Sequence, residues 1–252
     1  MTIDTIFDNL RDGVKRLQPG TFQNVDELRA AQITDSTLRN NWYHVANANG
    51  YRVQGTEVQW ALVRGNDSPI LRHLDDPVNS SYDQLSNTAG NFITDIAETD
   101  AAFSAKDTLV TSLSQLRYRK DKSELRSRID KNEEQRVYVE VRTADGFIYT
   151  GDIFETPNDT EAKVCTKTGL TTAYLAELNK AGKQITRIYI FNPDYVRQEI
   201  AKDPEGRPFW RASKLDNFDH HSIFNAVSRS VYIRCSLRGA PIVAAEDTTK
   251  MK

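Results

Sequence analysis

The stretch RVYVEVRTADGFIYTGDIF, residues 136–154, constrains the chain more than any other. Side chains alternate apolar and polar on either side of Ala144-Asp145-Gly146. A period of two places them on opposite faces of a strand, and Asp-Gly is a turn dipeptide, so a solvated hairpin is expected here. AKVCTKT (162–168) reads as a third short strand, LTTAYLAELNKAG (170–182) as a helix ended by Gly182, and QITRIYIF (184–191) as a buried strand. Asn192-Pro193 opens another helix with a cap and a first-turn proline, and SRSVYIRCSL (228–237) is a late strand.

Upstream the period changes. Ile3, Ile6, Leu10, Val14 and Leu17 recur at helical spacing over Asp4 to Leu17, and NVDELRAAQ is a second helix capped by Asn24. Asp35 can cap a third, with Leu38, Trp42, Val45 and Ala46 on its apolar side and Gly50 as its stop. A hairpin about Gly55-Thr56 follows. From Tyr82, the residues Leu85, Ala89, Phe92, Ile96, Thr99, Phe103, Lys106, Val110 and Leu113 fall three and four apart, the heptad spacing of a coiled coil or of a helical hairpin folded on its own domain.

The expected fold class is therefore α+β in three parts: a helical unit over 1–75, a long helical connector over 80–135, and a mixed α+β domain over 136–252.

Three helices and a hairpin in this order resemble the winged-helix family. The resemblance implies a third helix in the DNA major groove, with Ser36, Thr37, Arg39, Asn40 and Asn41 facing the bases and Arg52 and Arg64 on the hairpin neutralising phosphates. The helix-strand-strand-strand-helix-strand order from Arg117 on resembles the PD-(D/E)xK nucleases. That resemblance implies a magnesium site built from Asp145 or Asp152 with Glu161 and Lys163, although Cys165 stands where the family places its glutamate. The same hairpin also resembles the opening of Sm-like barrels.

Composition limits the choice. With 252 residues and a formal net charge of −2, the chain has no global field for polyanions, so a nucleic-acid role needs local patches such as RYRKDKSELRSR, 117–128. No apolar run approaches the roughly 18 residues of a membrane span. Cys165 and Cys235 sit in apolar surroundings that suit reduced thiols, and a cytoplasmic protein is expected. Asp216, Asp219, His220 and His221 crowd together as a helix start or a zinc site; Phe209-Trp210 beside Arg207 and Arg211 reads as core with an arginine rim.

Three functions follow: a noncatalytic DNA-binding protein that engages duplex DNA as a homo-oligomer, a metal-dependent nuclease, or an assembly protein making protein contacts only. Magnesium is the one cofactor considered, and only for the nuclease.

Overall fold

The computed structural model describes residues 24–40, 42–70, 72, 91–120, 135–218 and 222–228. Eleven strands form one mixed sheet, and five short helices pack about it among the described residues. In chain order these are α1 (Val25–Thr34), β1 (Tyr43–Gln54), β2 (Glu57–Val63), β3 (Phe92–Ile93), α2 (Ile96–Phe103), β4 (Leu109–Ser112), β5 (Arg119–Lys120) and β6 (Arg136–Arg142). They are followed by β7 (Ile148–Thr150), β8 (Ile153–Glu155), α3 (Asp159–Lys167), α4 (Thr172–Lys180), β9 (Ile185–Phe191), α5 (Pro193–Lys202), β10 (Phe209–Leu215) and β11 (Phe224–Ser228). The strand order is β4-β2-β1-β10-β11-β9-β6-β7-β8, with β3 on β10 and β5 on β6.

The third helix expected from Asp35 to Gly50 is strand β1 instead. Asp35 caps only the 3-10 turn Ser36–Leu38, and from Tyr43 the chain pairs with β2 on one side and β10 on the other. Both faces of β1 are buried, so its sequence shows no alternation that would mark it as a strand. Its polar residues have partners inside: Asn49 Nδ2 donates to Ser213 Oγ at 2.7 Å, and Trp60 Nε1 donates to Asn49 Oδ1 at 3.1 Å. Gly50 ends no helix. A Cβ there would lie 2.7 Å from the Trp210 indole and 2.8 Å from the Phe103 ring, so only a bare backbone fits beneath them. The hairpin about Gly55-Thr56 is present, but as part of this sheet and not as the wing of a separate helical unit. The winged-helix expectation is overturned.

The helical connector is overturned as well. Of the heptad residues that are described, Phe92 lies in β3, Ile96, Thr99 and Phe103 in α2, Lys106 in the turn after α2, Val110 in β4, and Leu113 in a 3-10 turn. No coiled-coil helix can pass through two strands. Phe92, Phe103 and Trp210 are instead buried with Ala48, Ala61, Val63, Ile70 and Ala102 in a cluster on one face of the β1-β2-β10 sheet. Tyr82, Leu85 and Ala89, the Asp4–Leu17 helix, most of the 117–128 basic run, Asp219, His220, His221, Cys235 and the 228–237 strand apart from Ser228 lie outside the described residues.

The C-terminal elements follow the alternation more closely. β6 pairs antiparallel with β9 over seven residues, from Arg136 opposite Phe191 to Arg142 opposite Ile185. Val137, Val139, Val141, Ile188 and Ile190 enter the main core with Val164, Tyr174, Leu175 and Leu178 of α3 and α4. The order expected for a PD-(D/E)xK core fails at its third strand. Residues 159–167 form helix α3, begun by Asn158, whose Oδ1 accepts from Glu161 N–H while Glu161 Oε2 accepts from Asn158 N–H. This capping box outweighs the β-branched character of Val164 and Thr166. Phe209-Trp210 is core, as its composition suggested.

Two predictions follow from this packing. Gly50→Ala should destabilise the protein by about 1–3 kcal/mol, because the indole and phenyl rings above it must shift, and a urea unfolding series would measure it. His44, buried in β1 opposite Lys214, has its pKa driven down to about 4 by burial, with the Lys214 charge adding to the effect. Below the ordinary histidine value of about 6.5 the unfolded chain binds a proton that the folded chain refuses. Stability should therefore fall as pH drops from about 6.5 towards 4, by about 3 kcal/mol in all. Urea midpoints at several pH values should show this slope, and His44→Leu should remove it.

Candidate binding face

The face of the β6-β9 pair turned away from α3 and α4 carries Arg136, Tyr138, Glu140 and Arg142 on β6, with Arg187 and Tyr189 opposite on β9. A period of two puts all six on one side. β5, β7 and β8 extend it with Arg119, Tyr149 and Phe154.

These side chains form an ordered lattice of guanidinium groups on aromatic rings. Arg119 lies over Tyr149 at 4.1 Å, Arg142 over Phe154 at 4.1 Å, Arg136 over Tyr189 at 4.3 Å and Arg187 over Tyr138 at 4.7 Å. Tyr138 and Tyr189 are 5.5 Å apart between centroids, and Tyr149 meets Phe154 edge to face at 5.1 Å. Arg136, Tyr138 and Tyr189 are buried, whereas Arg119 and Arg142 are open; a stack at such a partly exposed site is worth about 0.5–1 kcal/mol and holds the arginine flat on its ring.

Glu140 is the one carboxylate within the lattice. Its side chain is 6% exposed, accepts from Arg187 Nε at 2.8 Å, and lies 3.8 Å from Arg119. Burial works against the Arg187 charge, but the Glu140 bond and the neighbouring Tyr189 outweigh it and raise its pKa. Burial also raises that of Tyr138, which stays a neutral phenol. Arg119 and Arg142, with side chains 43% and 42% exposed, are the most open of the cations; Arg142 has Asp145 at 3.6 Å.

The residues expected to read DNA are used elsewhere. Thr37 donates to Asp35 from both its N–H and its hydroxyl, and Ser36 shares that turn. Arg39 closes the end of α1 by donating to the carbonyls of Gln32 and Ile33, and it lies over the Phe218 ring at 4.6 Å. Asn40 is exposed in a bend, and Asn41 lies outside the described residues. Arg52 sits over Phe103 and pairs with Asp100 at 2.9 Å; Arg64 pairs with Asp26 and Glu27. With no recognition helix, the DNA-binding expectation loses its reader.

The residues of the nuclease proposal are not brought together. Asp145 lies in the β6-β7 turn, Asp152 is exposed in the β7-β8 turn, and Lys163 is exposed on α3. Glu161 is fully buried and both of its oxygens are engaged by Arg117, at 2.9 Å and 2.5 Å. Burial disfavours the charged carboxylate, but the bonds from Arg117 and from the Asn158 and Arg117 N–H groups prevail and hold its pKa below the usual range. Among the described residues, no three His, Cys, Asp or Glu side chains are gathered as a metal site. Asp216 pairs with Lys214 at 2.9 Å. A shallow cleft beside Arg117 is lined by Ser114, Gln115, Asn158 and Thr160, where Asn158 and Thr160 donate to Gln115 and Ser114 donates to Glu57.

The arginine-aromatic face was missed by reading the hairpin only for strand type. Its signal was the identity of the outward residues: Arg, Tyr, Glu, Arg on β6 and Arg, Tyr on β9.

No protein-family model and no curated protein matches the sequence. A solved structure described as "Accommodation of massive sequence variation in Nanoarchaeota by the C-type lectin fold" is similar with a TM-score of 0.47 and 13% identity, over 82% of this chain and 83% of that chain.

The capping and ion-pair role of Glu161 gives a direct prediction. Glu161→Ala should destabilise the fold by about 2–4 kcal/mol, because it removes the helix cap and leaves Arg117 without its buried partner. Lys163→Ala, on the exposed side of the same helix, should stay within about 0.5 kcal/mol of the parent. Thermal melts of the two variants check both.

Proposed function

We propose that this chain is a noncatalytic binding protein that makes protein contacts through the arginine-aromatic face of β5-β6-β7-β8-β9. One observation carries the reading: four guanidinium groups stacked on four aromatic rings, on antiparallel strands. Tyrosine and arginine are the residues enriched at protein interfaces, where lysine is depleted, and they dominate the energetic centres of such surfaces.

The width of the face supports the same choice. A major groove admits a helix or a two-stranded ribbon, whereas this face spans four neighbouring strands, β9-β6-β7-β8, with β5 on the same edge of β6 as β7. The reading places the protein in the cytoplasm, where Cys165, packed beside the core with its thiol pKa pushed up to about 12 by burial, stays reduced and unreactive. No helix among the described residues is long and apolar enough to cross a membrane.

The test is a photo-crosslinking phenylalanine derivative placed at Tyr149, and separately at Gln54 on the exposed tip of the far hairpin, in native host cells. Irradiation should give adducts at position 149 and not at 54 that are destroyed by protease and resist nuclease. An adduct of twice the chain's mass would identify the partner as a second copy, the oligomer that the sequence suggested. Adducts that only nuclease removes, or equal yields at the two positions, would sink the reading.

A further inference from the structure

From the same face, and resting on the protein-binding reading above, we infer that the partner segment is acidic and extended, and that its carboxylates are taken by Arg119 and Arg142. The formal charge of the whole chain is −2, yet this face gathers four arginines around one internal carboxylate. The positive charge is therefore local, and it is complementary to a negative partner.

Glu140 explains which arginines are available. Its carboxylate holds Arg187 by a 2.8 Å hydrogen bond, while Arg119 stands 3.8 Å away, beyond hydrogen-bond reach. Arg142 is likewise 3.6 Å from Asp145. Both side chains are more than two-fifths exposed and fixed at 4.1 Å over a ring. A guanidinium held flat on a ring and short of its own carboxylate keeps its donor edge for another one, and Arg-carboxylate pairing is two-pronged.

Between the two cations lie the edge-to-face rings of Tyr149 and Phe154. Among the described residues β8 ends the strand order, and no described strand pairs with the N–H and C=O groups on its outer side. An extended segment laid along this edge meets apolar rings between two cations, which selects acids spaced around an apolar or aromatic residue. A helix would present its acids on one stripe without backbone groups for the edge.

The probe is a fluorescein-labelled oligoglutamate of about ten residues carrying one central tyrosine, titrated with the full chain at roughly 50 mM and roughly 500 mM NaCl and followed by anisotropy. Binding is expected at the lower salt and should weaken strongly at the higher. Arg119→Gln with Arg142→Gln, which keeps the length of both side chains, should weaken it about tenfold or more, with an unchanged thermal melt showing that the fold survives. Arg39→Gln with Arg64→Gln, two arginines remote from the face, should leave it unchanged. Three results would overturn the inference: no binding at low salt, equal affinity in the face variant, or an oligothymidylate or oligolysine of the same length binding at least as tightly. Any of these, alongside protease-sensitive adducts at position 149, would leave the protein-binding reading standing with a partner of different chemistry.

Discussion

Gly50 beneath the Trp210 indole marks the contact on which the sheet depends, the antiparallel pairing of β1 with β10. Asn49 and Arg211, neighbours across this pair, are 162 residues apart in sequence. Loop-closure entropy grows only logarithmically with such a separation, so the pairing costs little more than a closer one would at equilibrium. What it demands is fit. Trp210, Phe103, Ala48 and Ala61 fill one side of the pair, while on the other Tyr51 stacks on Phe209 and Phe191 meets both rings edge to face. Both sides of β1 are thereby sealed, and the β1-β2 hairpin, next to the end strand β4, is joined through β10 to a sheet whose far strands come from the C-terminal half.

Burial on that scale brings polar groups inside with it. Arg29 of α1 is completely buried over the Tyr174 ring at 5.0 Å, where Nη2 donates to the Ser222 carbonyl at 2.9 Å. Among the described residues no carboxylate pairs with it, and burial lowers its pKa. The Ser222 carbonyl also accepts from Thr186, and Ser222 is held at φ 47°, where a residue with a side chain is strained. The same carbonyl thus joins α1, β9 and the entrance to β11. Gly169 packs tightly against this point: a Cβ there would lie 2.7 Å from Asp26 Cα, and its φ of 74° suits glycine alone. Helices α1, α3 and α4 are therefore fixed on one face of β6-β9, which leaves the opposite face to the arginines.

How much of this was legible depended on whether a strand alternates in residue type from one face to the other. β6 and β9 were readable because Val137, Val139 and Val141 alternate in residue type with Arg136, Tyr138, Glu140 and Arg142, although Arg136, Tyr138 and Glu140 are themselves buried in the lattice. β1 was not, because Asn47 and Asn49 are as buried as Val45 and Tyr51, and buried asparagine looks like surface in a sequence. The spacing of Leu38, Trp42, Val45 and Ala46 then imitated a helix face. The heptads failed for a related reason. Phe92, Phe103 and Leu113 are all core, but they reach it from a strand, a helix and a turn. In α3 the signal was present and outvoted: Asn158 followed three residues later by Glu161 is a helix-start signature, and the same glutamate attracted a metal-site reading. Only the chemistry of the outward positions could have revealed the binding face, and it gains meaning once β5, β7 and β8 are known to lie beside β6.

The lattice also explains why such a face can remain open without becoming an aggregation surface. Four uncovered aromatic rings on sheet strands near an edge would ordinarily invite a second sheet. Here each ring is covered by a guanidinium, so the apolar area shown to solvent is small, and like charges repel another copy of the same face. Removing one arginine exposes a ring; removing Glu140 leaves Arg119 and Arg187 repelling each other over Tyr138 and Tyr149. The carboxylate at the centre is therefore what allows so many cations to lie in register on so few strands. A partner that brings its own carboxylates neutralises the outer cations in the way Glu140 neutralises the inner ones. It meets arginines whose rotamers are already fixed by stacking, which lowers the ordering cost that usually opposes contacts made by long side chains.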